Sequence, residues 1–349
     1  MSKKKLRFYG LDQSDEWDEI VRSYKDHDVY WLSGYVRAFK LHGDGEPMLV
    51  SYDDGSLRGI QVVMRRDIAD DPRFTGQIES GQYFDHITPY GYGGWIFEGE
   101  GDLTAVDRAY SAWCSFNHTV SEYVRFHPIL NNQEQTGDMY EQIALGDTIA
   151  MDLSSPETIS ENMSSKNRNR IRKAMKSGVE IYCGRSPQLF QSFKRIYDNT
   201  MDRDHAMDYY YFNDDFYDSI LNDLPDNELV FYAVKDGTVI AMAIALLCNG
   251  MINYHLAASL REYQILAPNN LLLYRTAVWG SRNGFKTLHL GGGLGFQDDD
   301  LLRYKKGFYK GSPRRFYSGR KIFLPEAYEF LTGKRQKAEN NLYFPRYRA

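Results

Sequence analysis

The clearest pattern of apolar and polar positions lies between Glu228 and Ser259, where residues 229–235, 238–248 and 251–259 are rich in Val, Ile, Tyr and Ala. Asp236-Gly237 and Asn249-Gly250 separate the three runs, and both dipeptides accept the positive φ that a tight hairpin turn needs. A three-stranded antiparallel meander is predicted. Pro268 and Asn269 suit a helix start, residues 271–282 are apolar on a helical period, and Gly284 supplies a stop. A short strand at 287–290 then runs into Gly291-Gly292-Gly293-Leu294-Gly295.

The first half repeats this order of elements in a blurred form. Residues 48–52 and 57–64 flank Asp53-Asp54-Gly55 as a hairpin; a glycine-rich stretch, a helix over about 103–117 and a strand at 122–126 follow. Two copies of a mixed α+β unit are expected, an N-terminal domain over 1–153 and a C-terminal domain over 154–349. A helix capped by Ser154 and Glu157 opens the second, with Pro156 in its first turn and Gly178 as its end. Within it, residues 166–176 carry Lys166, Arg168, Arg170, Arg172, Lys173 and Lys176 and no acid. A second helix, about 187–202, has Leu189, Phe193, Ile196 and Tyr197 on one face. The polar, basic tail after Lys334 is expected to be partly disordered.

Composition narrows the function classes. At 349 residues and 40.5 kDa the chain is long enough for two domains. Its 27 Tyr against 5 Trp suit grooves that hold extended polar ligands. A net charge of -5 argues against general nucleic-acid coating, so any polyanion site must be local. Cys114, Cys183 and Cys248 form no CxxC pair, and the eight His show no zinc spacing, so neither a disulfide framework nor a metal site is expected. The start has no signal-peptide pattern, and Asn249-Gly250 interrupts the uncharged run 238–260. A cytoplasmic protein without an integral membrane segment is expected. No Gly-x-Ser-x-Gly elbow and no P-loop occur.

Three stretches carry a family resemblance. They are Asp85-His-Ile-Thr-Pro-Tyr-Gly-Tyr-Gly-Gly94 with Arg125-Phe-His-Pro128, then Ser165-Lys-Asn-Arg-Asn-Arg-Ile-Arg-Lys-Ala174 with Gly178, then Leu290-Gly-Gly with Tyr304-Lys305 and Phe308. Meander, helix, strand and glycine-rich exit resemble the GCN5-related N-acetyltransferase (GNAT) fold. Two such units, the second opened by a basic helix, resemble the FemABX-like acyltransferases. The resemblance implies tandem GNAT-like domains with mixed, mainly antiparallel sheets flanked by helices. It also implies transfer of an aminoacyl or acyl group to an amine of a cell-envelope or peptidoglycan precursor, a nucleotide- or lipid-linked acceptor. One departure matters. The coenzyme A loop of simple acetyltransferases offers glycine N–H groups to a pyrophosphate, whereas residues 261–270 here contain no glycine. The expected donor is therefore charged tRNA, with acyl-CoA second and no further cofactor. Two alternatives stay open: an acyl-CoA-dependent N-acetyltransferase on a sugar, peptide or protein amine, and a non-catalytic binding module.

Candidate site residues follow. Lys305 matches the family's lysine and could stand by the oxyanion of acyl transfer; Tyr304 would wall that site from water. His255, near the end of the third meander strand, is the candidate general base, the bland and favoured reading being a satisfied core or groove histidine. Lys166, Arg168 and Arg170 could meet phosphates, the bland reading being a solvated helix face. Arg203 with Tyr209 suits a diphosphate beside a base or sugar. Tyr90 and Tyr92, between glycines, and Arg125 are substrate-binding candidates in the first half, where the bland reading is a Gly-rich bend. Asp298, Asp299 and Asp300 read as a solvated cap or turn. With no activated Ser or Cys evident, direct attack by the amine is expected.

Overall fold

The computed structural model describes residues 5–335 and 343–349, without the Phe296 side chain. The strands are β1 (Leu6–Tyr9), β2 (Glu46–Asp53), β3 (Leu57–Asp67), β4 (Phe84–Ile87), β5 (Ile96–Gly99), β6 (Thr119–Arg125), β7 (Glu141–Asp152), β8 (Glu180–Gly184), β9 (Glu228–Lys235), β10 (Thr238–Cys248), β11 (Met251–Ser259), β12 (Thr287–Gly291) and β13 (Arg314–Ile322). The helices are α1 (Ser14–Arg22), α2 (Ser33–His42), α3 (Leu103–Phe116), α4 (Pro156–Glu161), α5 (Ser165–Lys176), α6 (Pro187–Arg203), α7 (Asp214–Asp223), α8 (Pro268–Arg282), α9 (Asp300–Lys306) and α10 (Pro325–Gly333).

The described residues up to Leu145 and from Phe316 onward form one compact unit, and 146–315 form the other. In the first, the strand order is β1-β2-β3-β4-β6-β13, with β5 also paired to β3. In the second it is β7-β12-β11-β10-β9-β8. Each sheet has one parallel pair, β4 with β6 and β11 with β12, and is otherwise antiparallel. The two units are thus the same mixed α+β design.

The expected division into 1–153 and 154–349 differs from these units at its C-terminal side. Residues 318–322 of β13 pair with β6, and the described residues after it pack in the first unit. Tyr347 is fully buried among Ile68, Phe74, Tyr328 and Leu331. The tail is therefore docked over 343–349, while 336–342 lie outside the described residues.

Local chemistry explains the elements of the second unit. Asp236, Gly237, Asn249 and Gly250 all have positive φ, which sets both meander turns. The long helix predicted from 154 to 178 is instead two helices. Ser155, not Ser154, caps α4 through Thr158 N, and Ser164 caps α5 through Asn167 N. Apolar residues of α8, among them Leu271, Leu272 and Ala277, pack with Ile240, Ile252 and Leu288 of the sheet. A methyl group on Gly280 would stand 2.5 Å from Ile252 Cδ1, so the absent side chain lets α8 lie close on β11.

Candidate functional site

The parallel ladder between β11 and β12 holds for three pairs only, Met251–Thr287, Ile252–Leu288 and Asn253–His289. From Tyr254 onward β11 leaves β12, and a register irregularity at Ile244/Ala245 adds a bend on its other side. The sheet of the second unit therefore splays beside His255, facing the start of α8.

Polar side chains gather around that opening. Asn270, in the first turn of α8, donates from Nδ2 to Asn167 Oδ1 of α5 at 3.2 Å. Asn269 Nδ2 donates to Ser259 Oγ at the end of β11, also at 3.2 Å. The Ser164 backbone N–H bonds the Gly307 carbonyl at 2.9 Å, tying the start of α5 to the end of α9. Three atoms here are buried without a hydrogen-bond partner: Asn167 Nδ2, Asn269 Oδ1 and the Tyr304 hydroxyl. Burying such atoms unpaired is costly, so they mark a place built to meet a polar ligand or water. Burial raises the Tyr304 phenol well above its ordinary value; Tyr254 adds to the rise and the Arg170 charge opposes it.

Lys305 lies on the same short helix as Tyr304. Its Nζ donates to the Gly292 carbonyl at 2.7 Å, fixing the ammonium against the glycine turn after β12. Burial pushes the ammonium down to about 8, and Asp299 pulls it back up. Asp299 itself caps α9 through Leu302 N at 2.8 Å and receives Leu294 N at 2.7 Å. Asp298 and Asp300 pair with Lys306 and Arg303. The acidic run is thus a helix cap and its ion pairs. Burial pushes the His255 imidazole down to about 3, leaving it neutral at physiological pH.

The structure places Tyr304 near Arg170 and Tyr254 and sets Lys305 on the glycine turn after β12, while the remaining candidates on α5 and α6 and in the first unit have other surroundings. Lys166 and Arg170 are exposed on α5. Arg168 turns back to the Ser160 and Met163 carbonyls, where it braces the break between α4 and α5. Arg203 pairs with Asp204 at 2.9 Å and donates to the Ser259 carbonyl at 3.1 Å, so it holds the end of β11. Tyr209 is exposed beside Tyr210. In the first unit the Tyr92 ring is buried edge-on to Tyr30, His127 and Phe316. Tyr90 stacks on Phe39, and Arg125 receives Gly93 N–H at its carbonyl. A methyl group on Gly91 would stand 2.5 Å from Tyr30, so packing fills that glycine bend.

Sequence reasoning passed over Tyr254, Asn167 and Asn269-Asn270. A signal existed for Asn167: with Ile171 and Ala174 it forms the buried i, i+4, i+7 stripe of an otherwise charged helix. Asn269 read only as a helix-start residue, and Asn270 carried no signal of its own.

Comparisons with known proteins agree with this architecture. A family model for the acetyltransferase (GNAT) domain matches residues 162–306, so the second unit is an acyltransferase domain of GNAT type. No curated protein matches the sequence. Among solved structures, FemX is similar at a TM-score of 0.67 and 13% identity, covering 94% of this chain and 99% of its own. The DUF2156 C-terminal domain of a protein assigned as a lysylphosphatidylglycerol synthetase, from Agrobacterium fabrum, is similar at 0.58 and 13%, covering 89% and 91%. A tandem GNAT protein from the clavulanic acid biosynthesis pathway is similar at 0.50 and 9%, covering 92% and 99%. The chain has the FemX-like tandem GNAT fold. Among the described residues no helix is long and apolar enough to cross a membrane.

Proposed function

We propose that the chain is an N-acyltransferase that moves an aminoacyl group from charged tRNA to the amine of a nucleotide- or lipid-linked envelope precursor. The observation that carries this reading is the buried unpartnered Tyr304 hydroxyl, near Tyr254 where β11 leaves β12, on the short helix that also carries Lys305, a cation fixed on the glycine turn after β12. An amine attacking an ester carbonyl forms a tetrahedral oxyanion, and pre-set donors at that point lower the barrier. The Gly292 carbonyl uses one Lys305 proton, and two remain for the oxyanion. With its basicity suppressed by burial, His255 is a weak general base, which fits direct attack by a neutral amine.

The choice of donor rests on the start of α8. Residues 261–266 form a 3-10 turn, and Ala267 holds the left-handed conformation where glycine-rich loops leave room for a pyrophosphate. The exposed cations of α5 supply the local positive surface that a tRNA donor requires. The test incubates the purified chain with charged tRNA or acetyl-CoA and a pool of envelope precursors, followed by mass spectrometry. An amino-acid increment on an amine is expected. An acetyl increment would transfer the reading to coenzyme A, and no increment with either donor would favour a binding module.

A further inference from the structure

A polar cavity of about 530 Å³ lies wholly within the first unit, between α1 and the sheet. Lys5, Arg7, Asp53 and Arg58 line it from the sheet side, and Glu16 and Tyr24 from the helix side. The register explains the charges. Arg7 is opposite Ser51, Asp53 is opposite Arg58, and Asp53 N–H bonds the Lys5 carbonyl, so these side chains share one face. Leu6 and Phe8 take the other face and pack on the core. Further along, the same face is apolar, with Tyr9, Leu49 and Ile60 buried; at this exposed end it is ionic.

Some of these charges are already satisfied. Arg58 lies over the Tyr24 ring at 4.3 Å, bonds Glu98 through Nε at 3.0 Å and bonds the Ser23 carbonyl at 2.8 Å, so it is a fixed wall. Lys5 stands 3.8 Å from Asp54. Arg7 is different: it touches the Tyr9 hydroxyl and feels Asp53 and Glu16 without forming an ion pair with either. One guanidinium and two carboxylates therefore face the same space without closing on each other. A phosphate would be repelled by the carboxylates, and a simple cation would leave Arg7 uncompensated.

We propose that this cavity binds a small zwitterion, an α-amino acid or short peptide, with its carboxylate on Arg7 and its ammonium between Asp53 and Glu16. The planar Arg fork matches a carboxylate, and Ile20 and Tyr24 offer apolar surface to a side chain. The volume falls in the range of small-molecule sites. The proposal is independent of the acyl-transfer reading, because every residue involved belongs to the first unit.

Calorimetry on the full chain tests it with three probes: alanyl-alanine, N-acetylalanine and alaninamide. The dipeptide should bind, and each probe lacking one charge should bind at least about tenfold more weakly, as should the dipeptide with Arg7→Met or Asp53→Asn. Thermal melting should show Arg7→Met as stable as the parent, since Arg7 is exposed. If it is not, Arg7→Lys keeps the charge without the fork and should also weaken binding. No dipeptide binding at millimolar concentration, equal binding of the single-charge probes, or undiminished affinity in the Arg7 variants would overturn the proposal.

Discussion

Arg348 and Asp85 are 263 positions apart in the chain, yet Arg348 Nε lies 2.5 Å from Asp85 Oδ2 inside the first unit. Arg66 bonds the other carboxylate oxygen at 2.8 Å, and Arg348 also reaches Asp71 at 3.0 Å. Tyr347 is fully buried next to it and donates to Asp85 Oδ2 at 3.2 Å. The last described residues are thus built into the unit as firmly as a strand.

Replacing Arg348 by Met should consequently destabilise the chain by about 3 kcal/mol, because Asp85 keeps its burial and loses a partner. Burial alone would raise the Asp85 carboxyl, but the charges of Arg66 and Arg348 outweigh it and hold it below the ordinary range. A lowered folded-state pKa stabilises above the unfolded value of about 4, and that stability disappears as pH falls through the folded value. Denaturant melts of parent and variant should therefore differ most at neutral pH and converge in acid. Equal midpoints at neutral pH would remove Arg348 from the stability account.

Lys305→Met keeps the length and apolar stem while removing the charge. Turnover should fall by roughly two to three orders of magnitude, with acceptor affinity little changed. The pH profile carries a second signature. With its ammonium pushed down to about 8, Lys305 loses its charge as pH rises through that value, so the parent should show an alkaline decline there. Lys305→Arg, whose guanidinium stays charged, should lose that decline even if its turnover is low. A decline that persists in the Arg variant belongs to another group.

The basic helix is best probed without Arg168, which braces the preceding turn. A triple variant with Lys166, Arg172 and Lys173 changed to Gln removes exposed charge and leaves Arg170, beside Tyr304, in place. Affinity for charged tRNA should drop, and its dependence on salt should flatten by roughly one logarithmic unit of slope per lost phosphate contact. Unchanged affinity and slope would return α5 to the solvated-face reading.

What the sequence made legible was local. Asp236-Gly237 and Asn249-Gly250 specify their turns through backbone φ, and α8 announces itself by Pro268 and its apolar period. The missing features depend on distant partners. Nothing near Arg314 or Phe316 indicates pairing with β6, about two hundred residues earlier. The break between α4 and α5 escaped because three capping residues, Ser154, Ser155 and Ser164, compete within one segment. Within the site, Lys305 and Tyr304 came through the family resemblance. Asn167 could have been found from its place on the stripe with Ile171 and Ala174, whereas Tyr254 could not, since a buried polar atom on a strand looks in sequence like any surface one.

Tyr304 allows fold and function to be separated in one substitution. Its hydroxyl is buried with no hydrogen-bond partner, while its ring packs edge-on to Phe308 at 5.2 Å. Tyr304→Phe preserves that packing and deletes only the oxygen. Were the residue purely structural, the variant would gain stability by about 1 kcal/mol, the cost of an unsatisfied buried group, and nothing else would change. The site reading adds an opposite effect on catalysis, because the hydroxyl is a donor held in reserve beside Lys305. Losing one such donor should reduce turnover by about a hundredfold. A rise in melting temperature together with a fall in kcat is therefore the expected pair. A stabilised variant with undiminished turnover would assign the phenol to packing alone.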